Sequence, residues 1–547
     1  MVPIQGNWGC CRHVADDPNI LNIFVFGGKK VKRLIVDIEK GSSKPKVINE
    51  TQTYRVLAEG DSLSIFQGYC LNEDADYVGD PVAPLGENQG LFVFASYSNS
   101  VLKIEYDHLA SHRLYSYSFN DNIIVANNPL FLAEYLWENY AHKLELCIDA
   151  TYSMLALGYL PPPQTPYVDV FGGAPSTVTK VYFGGKVVQT KKLDVVDTDS
   201  TSFDIYEFDE MFEDAVRRQL NARVASTRTF AYLSGGLDSR YVCLKLKKCG
   251  AEFCTLTFGE PGCDDINIAN EVSRSLGKKQ INVPLVNGSY LEKIETYHNN
   301  SGGLVNFLGA AHLDYAMQLV GHDCDLVFTG LMGDVVVGSY SRPFSPHEFV
   351  YSKKAFKQSL FAKNQLQGFT DATEYFFKVK APGAVVNGDY VISDRTNSLS
   401  PFLDPIFYNY ASRIPMQFKA GQKLYFQLVA ENITNLAVAR WQKSGIKPKN
   451  FKLNKVFSKI KWFVSGVLRR LSISTREDMN PFNNWFKNNS SLRAYYDELF
   501  ENDISIIEND DLRELLKEEY RSINYRRKCN ALTVLLSHKR LIDAYNR

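Results

Sequence analysis

The chain has 547 residues, with 61 basic and 61 acidic side chains and therefore no formal net charge at neutral pH. This balance excludes a strongly basic nucleic-acid-binding protein and a protein with an acidic tail. Hydrophobic residues make up 45% of the chain and charged residues 22%, which excludes disordered, collagen-like and coiled-coil chains. The length predicts more than one domain, and we expect two.

The ten cysteines form no C-x-x-C pair and no repeated spacing, so the sequence predicts neither a zinc site nor a disulfide framework. The first residues lack a charged stretch followed by an apolar one, and no run of about 18 apolar residues occurs. We therefore expect a cytoplasmic protein with reduced thiols, no signal peptide and no transmembrane segment.

The chain up to about residue 192 has the pattern of short β-strands that alternate in hydrophobicity and are separated by turn residues. Residues 91–97 and 101–106 predict one hairpin, and residues 115–119 and 123–125 predict another. Residues 21–26 predict a further strand. This part of the chain is expected to form a β-rich domain.

The period changes to that of a helix after a polar, acidic stretch at residues 194–204, because apolar residues then fall on one helical face. We place a domain boundary here, with an N-terminal domain over residues 1–200 and a C-terminal domain over residues 201–547. From about residue 401 to the end the sequence is mainly helical, including residues 510–520.

Strands and helices alternate beyond the boundary, which is the pattern of βαβ units in a parallel sheet. The predicted strands are residues 229–233, 253–258, 280–283 and 326–329, and the predicted helices end at Leu246 and cover residues 264–276 and 312–320. The fold class is therefore α/β.

The most informative string is Ser-Gly-Gly-Leu-Asp-Ser at residues 234–239, here named the phosphate loop, which follows a predicted strand and precedes a predicted helix. Its two glycines permit a tight turn in which backbone N–H groups approach an anion, and the helix adds the positive end of its dipole. Its two serine hydroxyls can donate to phosphate oxygens. Asp238 would repel phosphate unless a divalent cation lay between them, which indicates a magnesium ligand. The alternative is a glycine-rich turn capped by Ser and Asp.

A second glycine-rich string, Thr-Gly-Leu-Met-Gly-Asp at residues 329–334, follows the predicted strand nearly a hundred residues later and is here named the second glycine loop. Ligands bind at the carboxyl ends of the strands in open α/β sheets, so Asp334 is expected to share a magnesium ion with Asp238. Alone, such a turn is more often structural.

The phosphate loop resembles that of the N-type ATP pyrophosphatases, which form adenylates and release pyrophosphate. A β-rich front of about 200 residues, the second glycine loop, Pro-Phe-Leu-Asp at residues 401–404 and the helical tail together resemble the asparagine synthetase family. The resemblance covers essentially the whole chain. It implies an N-terminal sandwich like that of class II glutamine amidotransferases (an Ntn-like α/β sandwich), followed by a Rossmann-like ATP pyrophosphatase domain with helical additions.

The resemblance also implies the site residues. The backbones at Leu233, Phe258 and Gly330 would hold adenosine, and Lys443, in the string Arg-Trp-Gln-Lys-Ser-Gly at residues 440–445, would reach the phosphates and the reacting centre. A cation there would neutralise the charge that develops during catalysis. Lys447 and Lys449 remain alternatives to Lys443. The predicted residues for binding ATP and pyrophosphate are Leu233, Ser234, Gly235, Gly236, Leu237, Asp238, Ser239, Phe258, Thr329 and Gly330; Asp238 and Lys443 are the catalytic candidates, and Asp238 and Asp334 the metal ligands.

The sequence departs from the family at its start. Members that hydrolyse glutamine have a cysteine directly after the initiator methionine, whereas Val2 stands here and has no nucleophile. Cys10 and Cys11 are internal and are interpreted as packing residues. The N-G-E string of glutamine-binding members is also absent, its nearest counterpart being residues 71–74. We therefore expect a degenerate amidotransferase-like domain.

The second glycine loop also departs from the pattern of the asparagine synthetase family. Leu331 stands where asparagine synthetases have glutamate and β-lactam synthetases have tyrosine, and Val335 replaces the usual acid. These changes argue against free aspartate as the substrate. Similar divergent members include lasso-peptide cyclases and enzymes thought to amidate sugars in bacterial surface-polysaccharide pathways, so a sugar or peptide carboxylate is expected.

The sequence therefore predicts a magnesium- and ATP-dependent enzyme that adenylates a carboxylate, releases pyrophosphate and transfers the acyl group to ammonia or an amine. The alternatives are a glutamine-hydrolysing asparagine synthetase proper and a non-catalytic nucleotide-binding homologue. The nitrogen source and the oligomeric state, a homodimer included, stay open.

Basic and aromatic residues alternate over residues 447–470, which contain no acid. One interpretation is contact with an anionic membrane surface or a polyanionic substrate. The other, which is the more common case, is a helix with a solvated basic face. The basic residues are Lys447, Lys449, Lys452, Lys455, Lys459, Lys461, Arg469 and Arg470, and the apolar ones include Phe451, Phe457, Ile460, Trp462, Phe463 and Val467.

Overall fold

The structure is a computed structural model. It describes residues 32–42, 44–51, 53–59, 61–71, 77–78, 88–191, 203–221, 228–320, 325–340, 342–393, 395–470 and 479–546. The predicted strand at residues 21–26, Val2, Cys10, Cys11, residues 72–74 and most of the predicted domain boundary lie outside these residues.

Two antiparallel sheets form the first part of the described chain. One has the order β2-β1-β9-β8, and the other has the order β11-β10-β7-β6-β4-β3, with β5 paired to β4. Both predicted hairpins are present, as β6–β7 and β8–β9. The strands are β1 Leu34–Glu39, β2 Lys46–Asn49, β3 Arg55–Glu59, β4 Ser62–Leu71, β5 Tyr77–Val78, β6 Gln89–Ser98, β7 Val101–Tyr106, β8 Tyr115–Phe119, β9 Asn122–Ala126, β10 Thr177–Tyr182 and β11 Val187–Lys191.

The two antiparallel sheets pack face to face. Alternate residues of strands from both sheets, such as Val36 and Val125 on one and Ile65 and Val93 on the other, are buried in one shared core. Period-two alternation places these side chains on one face of each strand, which is why the sequence pattern predicted the strands.

A parallel five-stranded sheet with the order β14-β13-β12-β15-β16 follows. Its first four strands correspond to the four predicted ones, whereas β16, only three residues long, was not predicted. The strands are β12 Thr229–Tyr232, β13 Cys254–Gly259, β14 Gln280–Pro284, β15 Leu326–Phe328 and β16 Asn397–Leu399.

Helices make up most of the rest of the described chain. The predicted helices at residues 264–276 and 510–520 have the predicted bounds. The helices are α1 Pro129–Tyr140, α2 Ile148–Leu157, α3 Ile205–Asn221, α4 Asp238–Lys248, α5 Asp264–Leu276, α6 Ile294–Ser301, α7 Ala311–Val320, α8 Gly333–Val336, α9 Lys353–Gln358, α10 Leu360–Gln365, α11 Ala372–Tyr375, α12 Val386–Tyr390, α13 Pro405–Arg413, α14 Met416–Lys419, α15 Lys423–Ala430, α16 Phe451–Arg470, α17 Phe482–Asn488, α18 Ser490–Asp503, α19 Asp510–Tyr520 and α20 Tyr525–Tyr545; a π-helix covers Phe376–Val385.

The largest core contains residues from both sides of position 200. Leu91 and Leu157 belong to it together with Phe208, Leu256 and Leu535. The domain boundary near residue 200 therefore stays a prediction. Among the described residues, no helix is long and apolar enough to cross a membrane.

Candidate functional site

The strand order of the parallel sheet reverses between β12 and β15. The chain leaves β12 for β13 and β14 on one side, while β15 and β16 lie on the other side. Open α/β sheets bind ligands in the crevice at the carboxyl ends of the strands at such a point. Because the phosphate loop follows β12 and the second glycine loop follows β15, both loops flank this crevice.

The two serines of the phosphate loop converge. The hydroxyl oxygens of Ser234 and Ser239 are 3.0 Å apart, and the backbone N–H of Ser234 donates to Ser239 Oγ at 3.0 Å. The backbone N–H of Gly236 donates to Ser234 Oγ at 3.2 Å. Helix α4 begins at Asp238, so its N-terminal end points at the same loop. The arrangement gives one anion access to both hydroxyls and to a helix N-terminus.

Gly235 also allows the segment that contains Gln442 to approach the phosphate loop. Its N–H donates to Asp265 Oδ1 at 2.9 Å, and its carbonyl accepts the N–H of Gln442 at 3.1 Å. The side-chain amide of Gln442 donates to the other oxygen of Asp265 at 2.9 Å. A Cβ on Gly235 would lie 2.7 Å from Gln442 Cβ, so a larger residue would push this segment away.

The second glycine loop packs directly on the start of α4. A Cβ on Gly330 would lie 2.6 Å from the backbone nitrogen of Ser239, and one on Gly333 would lie 2.7 Å from Asp238 Cβ and 2.8 Å from its Oδ1. The two glycines thus allow the two loops to touch, and they bring Asp334 into electrostatic range of Asp238.

The two predicted metal ligands affect each other. Burial and, next, the carboxylate of Asp334 raise the pKa of Asp238, while a hydrogen bond from Tyr425 and the charge of Lys443 act in the opposite direction. Burial also raises the pKa of Asp334, against a hydrogen bond from Tyr340 and, further down in size, the charge of Lys443. Two carboxylates that disfavour each other's ionisation attract a cation.

A magnesium ion fits this pair. Carboxylate oxygens are hard ligands, and Mg²⁺ is commonly bound by one or two carboxylates together with substrate phosphates and water. Among the described residues, no group of three or more His, Cys, Asp or Glu side chains could hold a metal ion by itself. Asp238 and Asp334 would therefore supply the protein's share of the ligands.

Residues 440–445, here named the lysine segment, bring the third predicted element to the crevice. Lys443 is exposed, its ammonium lies 5.6 Å from the ring centroid of Trp441, and its charge acts on both carboxylates. The side chain can therefore reach a ligand bound between the two loops. Lys447 and Lys449 are exposed as well.

Arg240, in the first turn of α4, is fully buried. Its guanidinium donates to the carbonyls of Leu436 at 2.6 Å, Ala439 at 3.0 Å and Arg440 at 2.8 Å. Because these carbonyls directly precede Lys443, Arg240 fastens the lysine segment to α4.

The predicted adenosine-binding residues lie at the carboxyl ends of three adjacent strands. Leu233 follows β12, Phe258 lies in β13, and Thr329 and Gly330 follow β15. Leu233 donates its N–H to the carbonyl of Leu256 at 2.9 Å, and Thr329 donates its N–H to Leu399 at 2.8 Å. These backbones are therefore fixed by neighbouring strands.

A cavity of about 270 Å³ is lined by aromatic and basic side chains. Among its described lining residues, Lys380 and Arg526 are cationic and none is acidic. The ammonium of Lys380 lies 5.2 Å from the ring centroid of Phe349, which also lines the cavity. The charge of Asp334 acts on Lys380, so the cavity is within electrostatic range of the predicted metal ligands. The lining residues are Leu157, Gly158, Tyr159, Val305, Asn306, Leu308, Gly309, Phe349, Tyr351, Tyr375, Lys380, Ala384, Phe482, Arg526 and Asn530.

Sequence reasoning missed Asp265, Gln442 and Lys380 as members of this region. Asp265 lies in a predicted helix without a motif of its own, and Gln442 is part of the string at residues 440–445 only as a neighbour of Lys443. Lys380 carried no sequence signal, because its position depends on how a π-helix packs against distant elements.

Comparison with known proteins identifies the central part of the chain. Residues 207–384 match the family model of asparagine synthase. The match includes both glycine loops and Lys380, whereas Lys443 and α16 lie beyond it. No curated protein sequence matches the chain.

Two solved structures are similar at 7% sequence identity, each over 47% of this chain. One is glutamine phosphoribosylpyrophosphate amidotransferase from B. subtilis complexed with ADP and GMP, with 85% of that chain covered and a TM-score of 0.19. The other is described as the allosteric regulatory enzyme of purine biosynthesis, with 74% covered and a TM-score of 0.18. The similarity to asparagine synthase therefore depends on the family model, which matches residues 207–384.

Proposed function

We propose that this protein is an ATP- and magnesium-dependent ligase that adenylates a substrate carboxylate, releases pyrophosphate and transfers the acyl group to ammonia or an amine. The observation that carries the proposal is the contact of the second glycine loop with the phosphate loop, which puts Asp238 and Asp334 together within reach of the Lys443 charge. A single glycine-rich turn would not require such a contact.

The polar groups of the crevice suit pyrophosphate formation. The hydroxyls of Ser234 and Ser239 would hold the leaving pyrophosphate, and Lys443 would neutralise the negative charge that develops on it. A magnesium ion held by Asp238 and Asp334 would supply charge compensation between the phosphates and the carboxylates. The rigid packing of the two loops would keep the reactants in line.

The cavity that Lys380 lines, within electrostatic range of Asp334, supports an anionic substrate. Two cations and an aromatic wall, without an acid among the described lining residues, favour a molecule that combines a carboxylate or phosphate with a ring or an apolar body. We propose that the carboxylate substrate, or the part of it next to the reacting group, binds there. Leu331 and Val335 argue against free aspartate, as their apolar side chains offer no partner to a small amino acid.

The nitrogen donor is proposed to be ammonia or an amine. The N-G-E string of glutamine-binding members is absent from the sequence, its nearest counterpart being residues 71–74. The N-terminal sheets would then serve as a scaffold.

The experiment is ATP–pyrophosphate exchange with magnesium across a panel of carboxylates that includes aspartate, uronic acids and acidic peptides. We expect exchange that depends on one class of carboxylate and is lost in Asp238→Asn, which keeps the side-chain volume but removes the charge. Asp511→Asn, at an exposed position in α19, is the matched control and should exchange like the unmodified protein. Exchange that survives Asp238→Asn would contradict the assigned roles, and ATP binding without exchange on any carboxylate would favour a non-catalytic nucleotide-binding protein.

A further inference from the structure

Helix α16 exposes an unusual number of large apolar side chains. Of the 20 large hydrophobic residues that are exposed among the described residues, eight lie on this one helix of 20 residues. Trp462 is 74% exposed and Phe463 is 66% exposed. Such a concentration of apolar surface marks an interaction site. The eight residues are Leu453, Val456, Phe457, Ile460, Trp462, Phe463, Val464 and Val467.

Most of these apolar residues share a face, whereas Trp462 projects on the side of Lys455. At 100° per residue, Val456, Ile460, Phe463 and Val467, which are three or four positions apart, project from one side of the helix, and Leu453 and Val464 lie beside them. This side is continuous over about four turns.

The opposite side of α16 faces the protein with polar groups. Asn454 and Ser465 are buried. The amide of Asn454 donates to the carbonyl of Lys447 at 3.1 Å, and Lys461 donates to Asp264 Oδ2 at 3.0 Å and to the carbonyl of Gln442 at 2.7 Å. A surface helix of a globular protein normally has the reverse orientation, with its apolar side inward. The outward apolar side is therefore not explained by packing within the described chain.

A basic stripe borders the apolar side. Lys452, Lys455 and Lys459 are exposed and are three and four positions apart, so they lie on one side of the helix. No Asp or Glu occurs between residues 447 and 470, although acids and bases are equal in number in the whole chain. The stripe selects a negatively charged partner.

We propose that α16 lies flat on an anionic lipid bilayer, with its apolar side in the region between headgroups and acyl chains and its lysine stripe on the lipid phosphates. The charge pattern favours this occupant over a second copy of the chain, because pairing two α16 helices would bring lysines together without any carboxylate. The protein would then bind the membrane surface peripherally, which is a property separate from the proposed ligase reaction.

Binding in this orientation brings the crevice to the membrane. The helix is bonded to the lysine segment through Lys461 and through the hydroxyl of Ser444, which donates to Asn454 Oδ1 at 2.5 Å. A helix with its side chains is about 10–12 Å across, so the lipid surface would lie roughly that far from the lysine segment.

The experiment is sedimentation of the full chain with vesicles of phosphatidylcholine alone and of phosphatidylcholine mixed with phosphatidylglycerol. We expect binding to the mixed vesicles that is about tenfold or more stronger than binding to the neutral ones and that falls with salt. Ile460→Ser combined with Phe463→Ser should abolish it, whereas Ile523→Ser, at a fully exposed position outside α16, should not.

Replacing Lys452, Lys455 and Lys459 by Gln should weaken binding to the mixed vesicles about tenfold or more, and the same change at Lys247, Lys353 and Lys357 should leave it nearly unchanged. Because a serine variant could misfold, Phe463→Trp gives a second measurement: it should keep binding and add tryptophan fluorescence that brominated lipids quench. Absence of vesicle binding, or quenching equal in Phe463→Trp and the unmodified protein, would overturn the proposal. A dimer in light scattering that the serine variant dissolves, without vesicle binding, would assign the face to a second copy instead.

Discussion

The inner and outer sides of α16 are built in opposite ways. On the inner side, the lysine segment, Arg240 and Asp265 pair their polar groups with one another, and glycines allow backbones to touch. On the outer side, apolar side chains lie in solvent beside lysines. The inner side thus holds its polar groups by hydrogen bonds within the chain, whereas the apolar side chains of the outer side would be shielded from water only by a partner.

The largest effect is expected from Gly333→Ala. The new methyl group would lie 2.7 Å from Asp238 Cβ, so the two loops would have to separate. Because catalysis depends on exact placement, kcat for pyrophosphate exchange should fall by about 100-fold or more while the protein stays folded. Gly466→Ala, in α16, is the control, since its added methyl meets nothing within 4 Å. Equal activity of the two variants would show that the contact between the loops is not required.

Arg240→Met tests how the lysine segment is held. The change leaves the carbonyls of Leu436, Ala439 and Arg440 without their buried cationic donor. We expect the free energy of unfolding, measured by urea denaturation, to fall by about 3 kcal/mol. Arg217→Met removes the ion pair between an exposed arginine and Glu213, which keeps Lys245 and Lys248 as partners, and should cost no more than about 0.5 kcal/mol. Similar losses of unfolding free energy in both variants would show that Arg240 does not hold the lysine segment on α4.

Lys380→Gln tests the cationic cavity. Burial lowers the pKa of Lys380 to about 8, with further lowering by Arg526 and Arg342 and an opposing effect of Asp334. The ammonium is charged below this pKa, so the KM for the carboxylate should rise as the pH increases through about 8. Lys380→Gln should raise the KM about tenfold at neutral pH and remove this rise.

The control for the cavity is Lys378→Gln, whose lysine is exposed and paired with Glu374 on the same turn. It should leave both the KM and its pH dependence unchanged. A Lys380→Gln protein with an unaltered KM for the carboxylate would exclude the cavity as the substrate site.

Local patterns predicted most of the fold. Strands β12 to β15 and helix α5 were predictable because the residues that set their periodicity and their turns lie within a few positions of each other. Strand β16 was missed because three residues are too few to show a period, and its place in the sheet comes from pairing with β15.

The candidate site was predictable only in part. Its glycine-rich strings are local, so the sequence located both loops and their aspartates. The buried position of Arg240 was not predictable, because the carbonyls that accept its hydrogen bonds lie about 200 residues away in the sequence. A single arginine after a loop also forms no recognisable pattern. The outward apolar side of α16 was equally hidden, since the sequence shows that the helix is amphipathic but not which side faces the protein.

The smallest effect is expected from Lys461→Met, which loosens the connection between the two sides of α16. Its ammonium bridges Asp264 and the carbonyl of Gln442, next to Lys443, but the side chain is partly exposed. Loss of one such ion pair should lower the free energy of unfolding by no more than about 1 kcal/mol. The lysine segment should nevertheless be less well placed, so kcat in exchange should fall about twofold to fivefold while vesicle binding persists through the other lysines. Lys459→Met, two positions earlier on the outer stripe, should show the reverse: unchanged exchange and slightly weaker binding to anionic vesicles. Identical behaviour of the two variants would mean that α16 does not separate a catalytic side from a membrane side.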